Sequence, residues 1–340
     1  MSAQVRHFDE PLPDLDGASV LVTGGTGSFG RAFVRRVLHR CTPKRLIVFS
    51  RDEAKQYEMA QLFGVDEYPC MRYFIGDVRN VDRLEMAMRE VDYVIHAAAL
   101  KQVPAAEYNP FECVMTNIHG AENVVKASLR ARVRKVIALS TDKAANPVNL
   151  YGATKLASDK IFVAANNLSG AGGARFSVVR YGNVIDSRCS VIPLFKQLLR
   201  DGATTLPITD EKMTRFWITL GQGVEFVLSS LALMQGGEIF VPKIPSMRVV
   251  DVARALSPNV AIEVIGIRPG EKLHEVMITE DDARTTRELP DRYMISPLNG
   301  RGHNGNDGGS VGEGFRYSSD TNVDWLDADG LRHMVEMSRA

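Results

Sequence analysis

A short apolar run, Ser19–Thr23 (SVLVT), breaks directly into Gly24-Gly25-Thr26-Gly27-Ser28-Phe29-Gly30. This stretch constrains the chain more than any other. A strand that meets glycine at once, with a helical pattern close behind over residues 29–40, requires a tight strand-to-helix turn. Glycines at 24, 27 and 30 let backbone approach another group closely, and the helix start behind them offers unpaired N–H donors and a partial positive charge. Between the first strand and first helix of a parallel sheet, such a turn cradles a pyrophosphate. Gly24, Thr26, Gly27, Ser28, Phe29 and Gly30 are the expected cradle.

The sheet itself is legible in the first half. Residues 19–23, 45–50 (RLIVFS), 72–78 (RYFIGDV), 93–99 (YVIHAAA), 135–140 (KVIALS) and 176–184 (FSVVRYGNV) read as strands. Most are nearly continuous in apolar residues, as parallel strands covered on both faces are. Helix-length segments at 29–40, 111–132 and 151–166 alternate with them. The expectation is an α/β fold: a doubly wound parallel Rossmann sheet over residues 17–185, with a smaller, partly interleaved substrate-binding domain over 186–340. After 184, prolines punctuate shorter elements, and the chain is expected to return to the first domain after 205. Residues 300–314 (GRGHNGNDGGSVGEG) are glycine-rich and nearly without apolar side chains, which predicts a mobile surface loop.

Composition narrows the class of function. Lys+Arg and Asp+Glu both total 41, so no global field draws the chain to nucleic acid or to an anionic membrane. The four cysteines form no CxxC pair, which argues against zinc or a disulfide framework, and no metal site is expected. The N-terminus is acidic and contains proline, and no apolar run approaches the ~20 residues of a membrane span. These features predict a cytoplasmic protein.

The end of the second strand bears on the choice of dinucleotide. A site for a free ribose 2′-hydroxyl usually has Asp or Glu there. This chain reads Ser50-Arg51-Asp52-Glu53-Ala54-Lys55. Ser50 can hydrogen-bond a 2′-phosphate, Arg51 can fork onto it, and Lys55 adds a second cation, so NADP is the expected cofactor. Asp52 and Glu53 are expected to point to solvent at a helix start. Asp77 and Val78 suit contact with the adenine edge, and Ala98 lies where a cofactor would pass close to backbone.

Chemistry is expected where the fifth strand ends, at Ser140-Thr141-Asp142-Lys143. Tyr151 and Lys155 follow, four residues apart on one helical face. A nearby ammonium stabilises a phenolate, which fits Tyr151 to proton removal from a carbinol while hydride leaves its carbon. Lys155 would also bond the nicotinamide ribose.

With these motifs in place, the chain resembles the extended short-chain dehydrogenase/reductase superfamily. Within it, the chain is similar to the inverting UDP-N-acetylglucosamine 4,6-dehydratases of the pseudaminic-acid pathway. The matching stretches are LVTGGTGSFG, FSRDEAKQYEM, FIGDV, HAAALKQVPAAEYNP, ALSTDKAANPVNLYGATK, VVRYGNV, MTRFWITL, GGEIFVPKIPSM and IGIRPGEKLHE, from about residue 18 to about 280. Dehydratases that retain configuration at C5 resemble one another in having Asp-Glu where this chain has Asp142-Lys143. The resemblance implies oxidation at sugar C4, loss of water across C5–C6 and reduction at C6. In that scheme Tyr151 acts at O4, Thr141 holds O4, Lys143 removes H5 and Asp142 protonates the departing 6-hydroxyl. A lysine base must be neutral, and Lys101, Lys155 and burial are expected to disfavour its charge.

For a UDP-sugar substrate, the resemblance carries over Lys101, Asn183, Val191, Pro193, Phe195, Arg215, Arg268 and Glu271, with Arg215 and Arg268 as clamps on the diphosphate. A homo-oligomer is implied as well. His96 and His119 are read as packing residues, and His274 receives no role. The chain departs from the family's ALKHVP and GNVxGSRGSV at Gln102, Asp186 and Cys189. Asp186 would bring negative charge toward an anionic ligand unless a cation offsets it, so an altered sugar pocket is expected. The competing readings are 4-epimerisation, which needs no acid–base pair at C5–C6, and a non-catalytic NADP-binding scaffold.

Overall fold

The computed structural model describes residues 6–8, 10–170, 172–187, 190–297 and 308–338. Six strands run parallel in its first half: β1 (Ser19–Thr23), β2 (Arg45–Ser50), β3 (Met71–Ile75), β4 (Tyr93–His96), β5 (Lys135–Leu139) and β6 (Arg175–Val179). The remainder supplies β7 (Asn183–Val184), β8 (Thr205–Ile208), β9 (Thr214–Ile218), β10 (Ile239–Pro242), β11 (Ser246–Arg248) and β12 (Ala261–Val264). It then forms β13 (Val276–Ile278), β14 (Thr286–Glu288), β15 (Arg292–Ile295), β16 (Gly309–Ser310) and β17 (Tyr317–Ser318).

One large sheet has the order β16-β14-β15-β10-β6-β5-β4-β1-β2-β3. All five residues of β1 are buried, because helices cover both faces, and this is why the parallel strands are apolar throughout. The helix Ser28–Arg40 buries Gly30, Phe33, Val34 and Val37 against the sheet. The helix Leu220–Leu233 starts at a reciprocal capping box between Thr219 and Gln222 and is buried along most of its length. Smaller sheets, β11-β9-β7, β12-β8 and β13-β17, build the rest around two further apolar clusters. Among the described residues, no helix is long and apolar enough to cross a membrane.

Several expected elements are cut short for local reasons. The third strand stops at Ile75 rather than 78, because the Asp77 carboxylate accepts from the Arg79 backbone N–H at 3.0 Å and turns the chain. The fourth stops at His96. The stretch 176–184 divides into β6 and β7, and β7 pairs with β9 in a different sheet. The long helix expected over 111–132 contains a π-turn, Met115–His119. There Asn117 accepts from the Leu100 N–H and donates to the Leu100 carbonyl, both at 2.9 Å. Of the loop expected over 300–314, residues 300–307 lie outside the described residues. Gly309–Ser310 instead forms β16, because β14 offers it unpaired backbone groups, and Phe315 packs 5.1 Å from Tyr293.

His96 is wholly buried at the end of β4, with Nδ1 2.8 Å from the Thr23 hydroxyl on β1. His119 is exposed and pairs with Glu122 at 3.2 Å, so it does not pack as expected: the π-turn rotates it outward. Burial, helped by the Lys155 charge, pushes the His96 pKa down to about 3. A histidine depressed in the folded state contributes stability above its unfolded pKa of ~6.5, and that contribution is lost as pH falls from there toward about 3. Unfolding stability should therefore drop by several kcal/mol, on the order of ~1.4 per pKa unit, over that range. Denaturant titration of wild type and His96→Gln as a function of pH checks this, the variant losing that part of the slope.

Candidate active site

The carboxyl ends of β1, β2, β4 and β5 open into one cavity of about 640 Å³. Gly24 has φ +64°, and a Cβ there would come within 2.9 Å of Ala98 backbone, so the first turn and the end of β4 touch through glycine. A Cβ on Gly30 would collide with Gly25, which closes the helix onto the strand. The helix Ser28–Arg40 has no acidic residue in its first turn to compete with an anion. Gly24, Thr26, Gly27, Ser28, Phe29, Gly30, Ser50, Arg51, Lys55, Asp77, Val78 and Ala98 all line this cavity. Ser140 Oγ, Thr116 Oγ1 and Asn183 Oδ1 are buried, belong to lining residues and have no hydrogen-bond partner among the described residues. These features fit an elongated ligand with phosphates at the glycine end.

At the far side of the glycine turn, Thr26 Oγ1 and Ser50 Oγ lie 2.8 Å apart. Asp52 does not point away as expected. It caps the helix Glu53–Leu62, accepting from the Lys55 N–H at 3.0 Å, and also pairs with the Lys55 ammonium. Asp77 is held by Arg79 at 2.8 Å and lies 3.6 Å from Arg51. Both carboxylates are held below the usual range by these contacts, Asp52 through Lys55 and Asp77 through Arg79 against the cost of burial.

The turn expected to carry the chemistry follows β5. Thr141 precedes the 3₁₀ turn Asp142–Ala144, and its hydroxyl accepts from the Lys143 N–H at 3.3 Å and donates to Asp142 Oδ1 at 2.9 Å. Lys143 Nζ donates to the same Oδ1 at 3.0 Å and lies 3.1 Å from Glu275 Oε1. The helix Leu150–Ala165 packs directly on this turn, since a Cβ on Gly152 would collide with the Lys143 carbonyl. That contact brings Tyr151 to Thr141 and Lys143. Lys155, one turn on, donates to the Leu139 carbonyl at 2.7 Å.

The charges of this group differ from expectation. Lys143 was expected to be made neutral by burial and by Lys101 and Lys155. Burial does work against its charge, but Asp142 and Glu275 outweigh it and hold the ammonium above the ordinary lysine range. Burial raises Asp142, with Lys143 opposing and the Glu275 charge adding to the rise. Burial also pushes Tyr151 up to about 12, and the cation that opposes this is Lys143 rather than the expected Lys155. Lys155 is itself lowered by burial.

The residues expected to bind substrate divide. Lys101 and Asn183 line the cavity, as does Gln102, one of the departures expected to alter the sugar pocket; Tyr181, Ser187, Ser190 and Leu220, to which no role was given, line it too. Phe195 faces inward on the helix Val191–Arg200 and is buried with Leu206, Ile208 and Met213, so it is core. Val191 and Pro193 stand at the start of that helix, half-buried and outside the cavity lining. Arg215 does not extend as a clamp: its guanidinium donates to the carbonyls of Thr214, Leu273 and Lys272 at 2.7–3.1 Å. Arg268 is exposed beyond the cavity, and Glu271 is half-buried near it in sequence, with one buried carboxylate oxygen that has no hydrogen-bond partner among the described residues. Asp186, at φ +55°, is clasped by Lys196 Nζ at 2.7 and 2.8 Å, so a cation offsets the charge expected to trouble an anionic ligand. Cys189 lies outside the described residues.

Residues 20–297 match the family model described as polysaccharide biosynthesis protein. The chain belongs to that family. A UDP-N-acetylglucosamine 4,6-dehydratase (inverting) of Campylobacter jejuni is 56% identical over 93% of this chain and 97% of its own length. A UDP-glucose 4-epimerase of Rickettsia canadensis is 42% identical over 83% of this chain and 84% of its own. Among solved structures, Pen from Bacillus thuringiensis superposes with a TM-score of 0.86 at 37% identity, covering 96% of this chain and all of its own. DesIV, a dTDP-glucose 4,6-dehydratase from Streptomyces venezuelae solved with NAD and TYD bound, gives 0.67 at 25% identity over 75% and 86%. Its fold neighbours place this family member among the Rossmann short-chain dehydrogenase type.

Sequence reasoning missed Gly152 and Glu275. Each stood inside a quoted motif, but neither signals a role without the packing of the helix and of β13 on the turn Asp142–Ala144. Gly152→Ala should shift Tyr151 off Thr141 and reduce turnover at least tenfold, with a loss of roughly 1–3 kcal/mol from overpacking. Steady-state kinetics and thermal unfolding of the variant measure both.

Proposed function

We propose that this chain is an NADP-dependent UDP-N-acetylglucosamine 4,6-dehydratase that inverts C5. The observation that carries the reading is the buried Thr141–Asp142–Lys143 hydrogen-bond chain beside Tyr151. The inverting dehydratase at 56% identity supports it. A bound nicotinamide supplies the hydride acceptor for sugar C4 and the hydride for C6. Thr141 and Tyr151 hold O4, and Tyr151 takes the O4 proton as the ketone forms, acting as the phenolate that the Lys143 charge favours against burial.

The ketone makes the C5 proton acidic. Lys143 Nζ takes that proton, the C5–H electron pair becomes the C5–C6 double bond, the C6–O bond breaks, and Asp142 protonates the departing hydroxyl to give water. This step requires neutral Lys143 and protonated Asp142. Their 3.0 Å hydrogen bond supplies that state: one proton passing from Nζ to Oδ1 turns the ion pair into the acid and base needed. Elimination restores the ion pair; as C6 is reduced, C5 takes a solvent-exchanged proton on the face opposite the one it lost, and the proton taken from O4 returns to solvent. Burial favours the neutral pair, because it raises Asp142 and opposes the Lys143 charge.

NADP fits better than NAD because the carboxylates that line the cavity near the end of β2 already have cationic partners. Asp52 is committed to its helix and Lys55, and Asp77 to Arg79, while the Arg51 side chain is 54% exposed at the cavity wall. Arg51→Asp should reverse or abolish a preference for NADP over NAD, read by fluorescence titration. Equal affinities in wild type would remove the assignment.

The epimerase relatives at 42% identity motivate a second reading. Incubation with UDP-N-acetylglucosamine in deuterated water, read by NMR, separates the two. A dehydratase gives a 4-keto-6-deoxy sugar with deuterium at C5, and an epimerase gives only the C4 epimer. Lys143→Ala should lose dehydration by ~10²–10⁴-fold while keeping dinucleotide affinity.

A further inference from the structure

Glu275 belongs to neither the glycine cradle nor the catalytic turn, yet its carboxylate is at the centre of the charged cluster. It stands just before β13, and its backbone is pinned by β17 residues and their neighbour. Its N–H donates to Ser319 Oγ at 2.9 Å, and its carbonyl accepts from the Ser319 N–H at 2.8 Å. The side chain is 2% exposed. Oε1 lies 3.1 Å from Lys143 Nζ and 3.8 Å from Arg215 Nε, and Oε2 lies 3.8 Å from Lys272 Nζ. Arg215 and Lys272 direct hydrogen bonds to backbone carbonyls, Lys272 to Ala145 at 2.6 Å. Lys143 is thus the cation that the carboxylate engages most closely.

We propose that Glu275 is a positioning residue: from the edge of β13 it holds Lys143 against Asp142 and sets the pH range over which that pair keeps its single shared proton. The catalytic use of that proton rests on the dehydratase reading above. Elimination takes one proton from C5 to Lys143 and gives one from Asp142 to the leaving hydroxyl, so the pair works only while it carries one proton in total. At high pH that proton is lost and Asp142 can no longer act as the acid. A second carboxylate about 3 Å from the ammonium opposes the loss, which agrees with Lys143 being held charged despite burial. The other groups facing Lys143 are Asp142 on its own turn, Arg215 on β9, Tyr151 on the adjoining helix, and, around the same cavity or cluster, Lys101, Lys155 and Lys272. Apart from Asp142, Glu275 is the one anion among these named groups, and its removal has a defined sign.

The test uses the full-length protein with NADP and trace acylation by acetic anhydride, from about pH 6 to about pH 11, with Lys143 followed by mass spectrometry; only the neutral amine reacts. Wild-type Lys143 should become reactive at higher pH than ordinary lysines. Glu275→Gln should lower its midpoint by roughly 1–3 pH units, and the basic limb of kcat should move down with it. Glu275→Asp, which keeps the charge and lengthens the contact, should fall between. An unchanged midpoint in Glu275→Gln, or wild-type Lys143 reacting like an ordinary lysine, overturns the proposal. If Glu275→Gln does not fold, the wild-type midpoint and the Asp variant decide it. Absence of sugar dehydration by wild type would overturn the functional reading and the catalytic use of the proton, whereas the acylation midpoint reports on Glu275 alone.

Discussion

The structure depends on the reversal of strand order at β1. β2 and β3 lie to one side of it and β4, β5 and β6 to the other, so the crossovers leave in opposite directions. The loops at the carboxyl ends therefore part and leave a crevice. Into that crevice the chain feeds the glycine turn after β1, the Ser50–Lys55 segment after β2, Ala98 and Lys101 after β4, and Ser140–Lys143 after β5. None of these segments would face another without the reversal. Gly24 against Ala98 and Gly152 against Lys143 are the two contacts at which backbone must come close for the crevice to hold its shape.

Electrostatics then distinguishes the two ends. At the glycine end the protein offers N–H groups and surface cations, and the acidic side chains nearby are tied up by Lys55 and Arg79. At the β5 end, charge is buried and balanced. Asp142, Lys143, Glu275, Arg215 and Lys272 form one cluster in which no ionised group is isolated. Breaking such a cluster costs far more than a surface pair would, and the same low-dielectric surroundings allow a proton to change partner across a short hydrogen bond.

The arginines show how a correct motif can carry the wrong geometry. Arg215 has the fork that suits a diphosphate, but β9 runs past Leu273 and Lys272, and their carbonyls take its donors. Asp186 is the mirror case. Alone in the sequence it reads as a negative charge near an anionic ligand, but the helix after it presents Lys196 one turn from its start and neutralises it.

The sequence by itself determined the parallel sheet, the glycine turn and the Tyr151–Lys155 face, because each depends on local periodicity or on backbone freedom at fixed spacing. Six strands were located to within a few residues, and their ends were missed where a side chain such as Asp77 bonds its own backbone. Only the tertiary structure decided the charge of Lys143, the cation acting on Tyr151 and the placing of Phe195, Arg215 and Arg268. Those properties are sums over neighbours distant in sequence. Glu275 lies more than a hundred positions beyond Lys143 and reaches it only because β13 packs on the turn after β5. Local spacing carries no trace of such a contact, so the ionisation of the site follows from the packing.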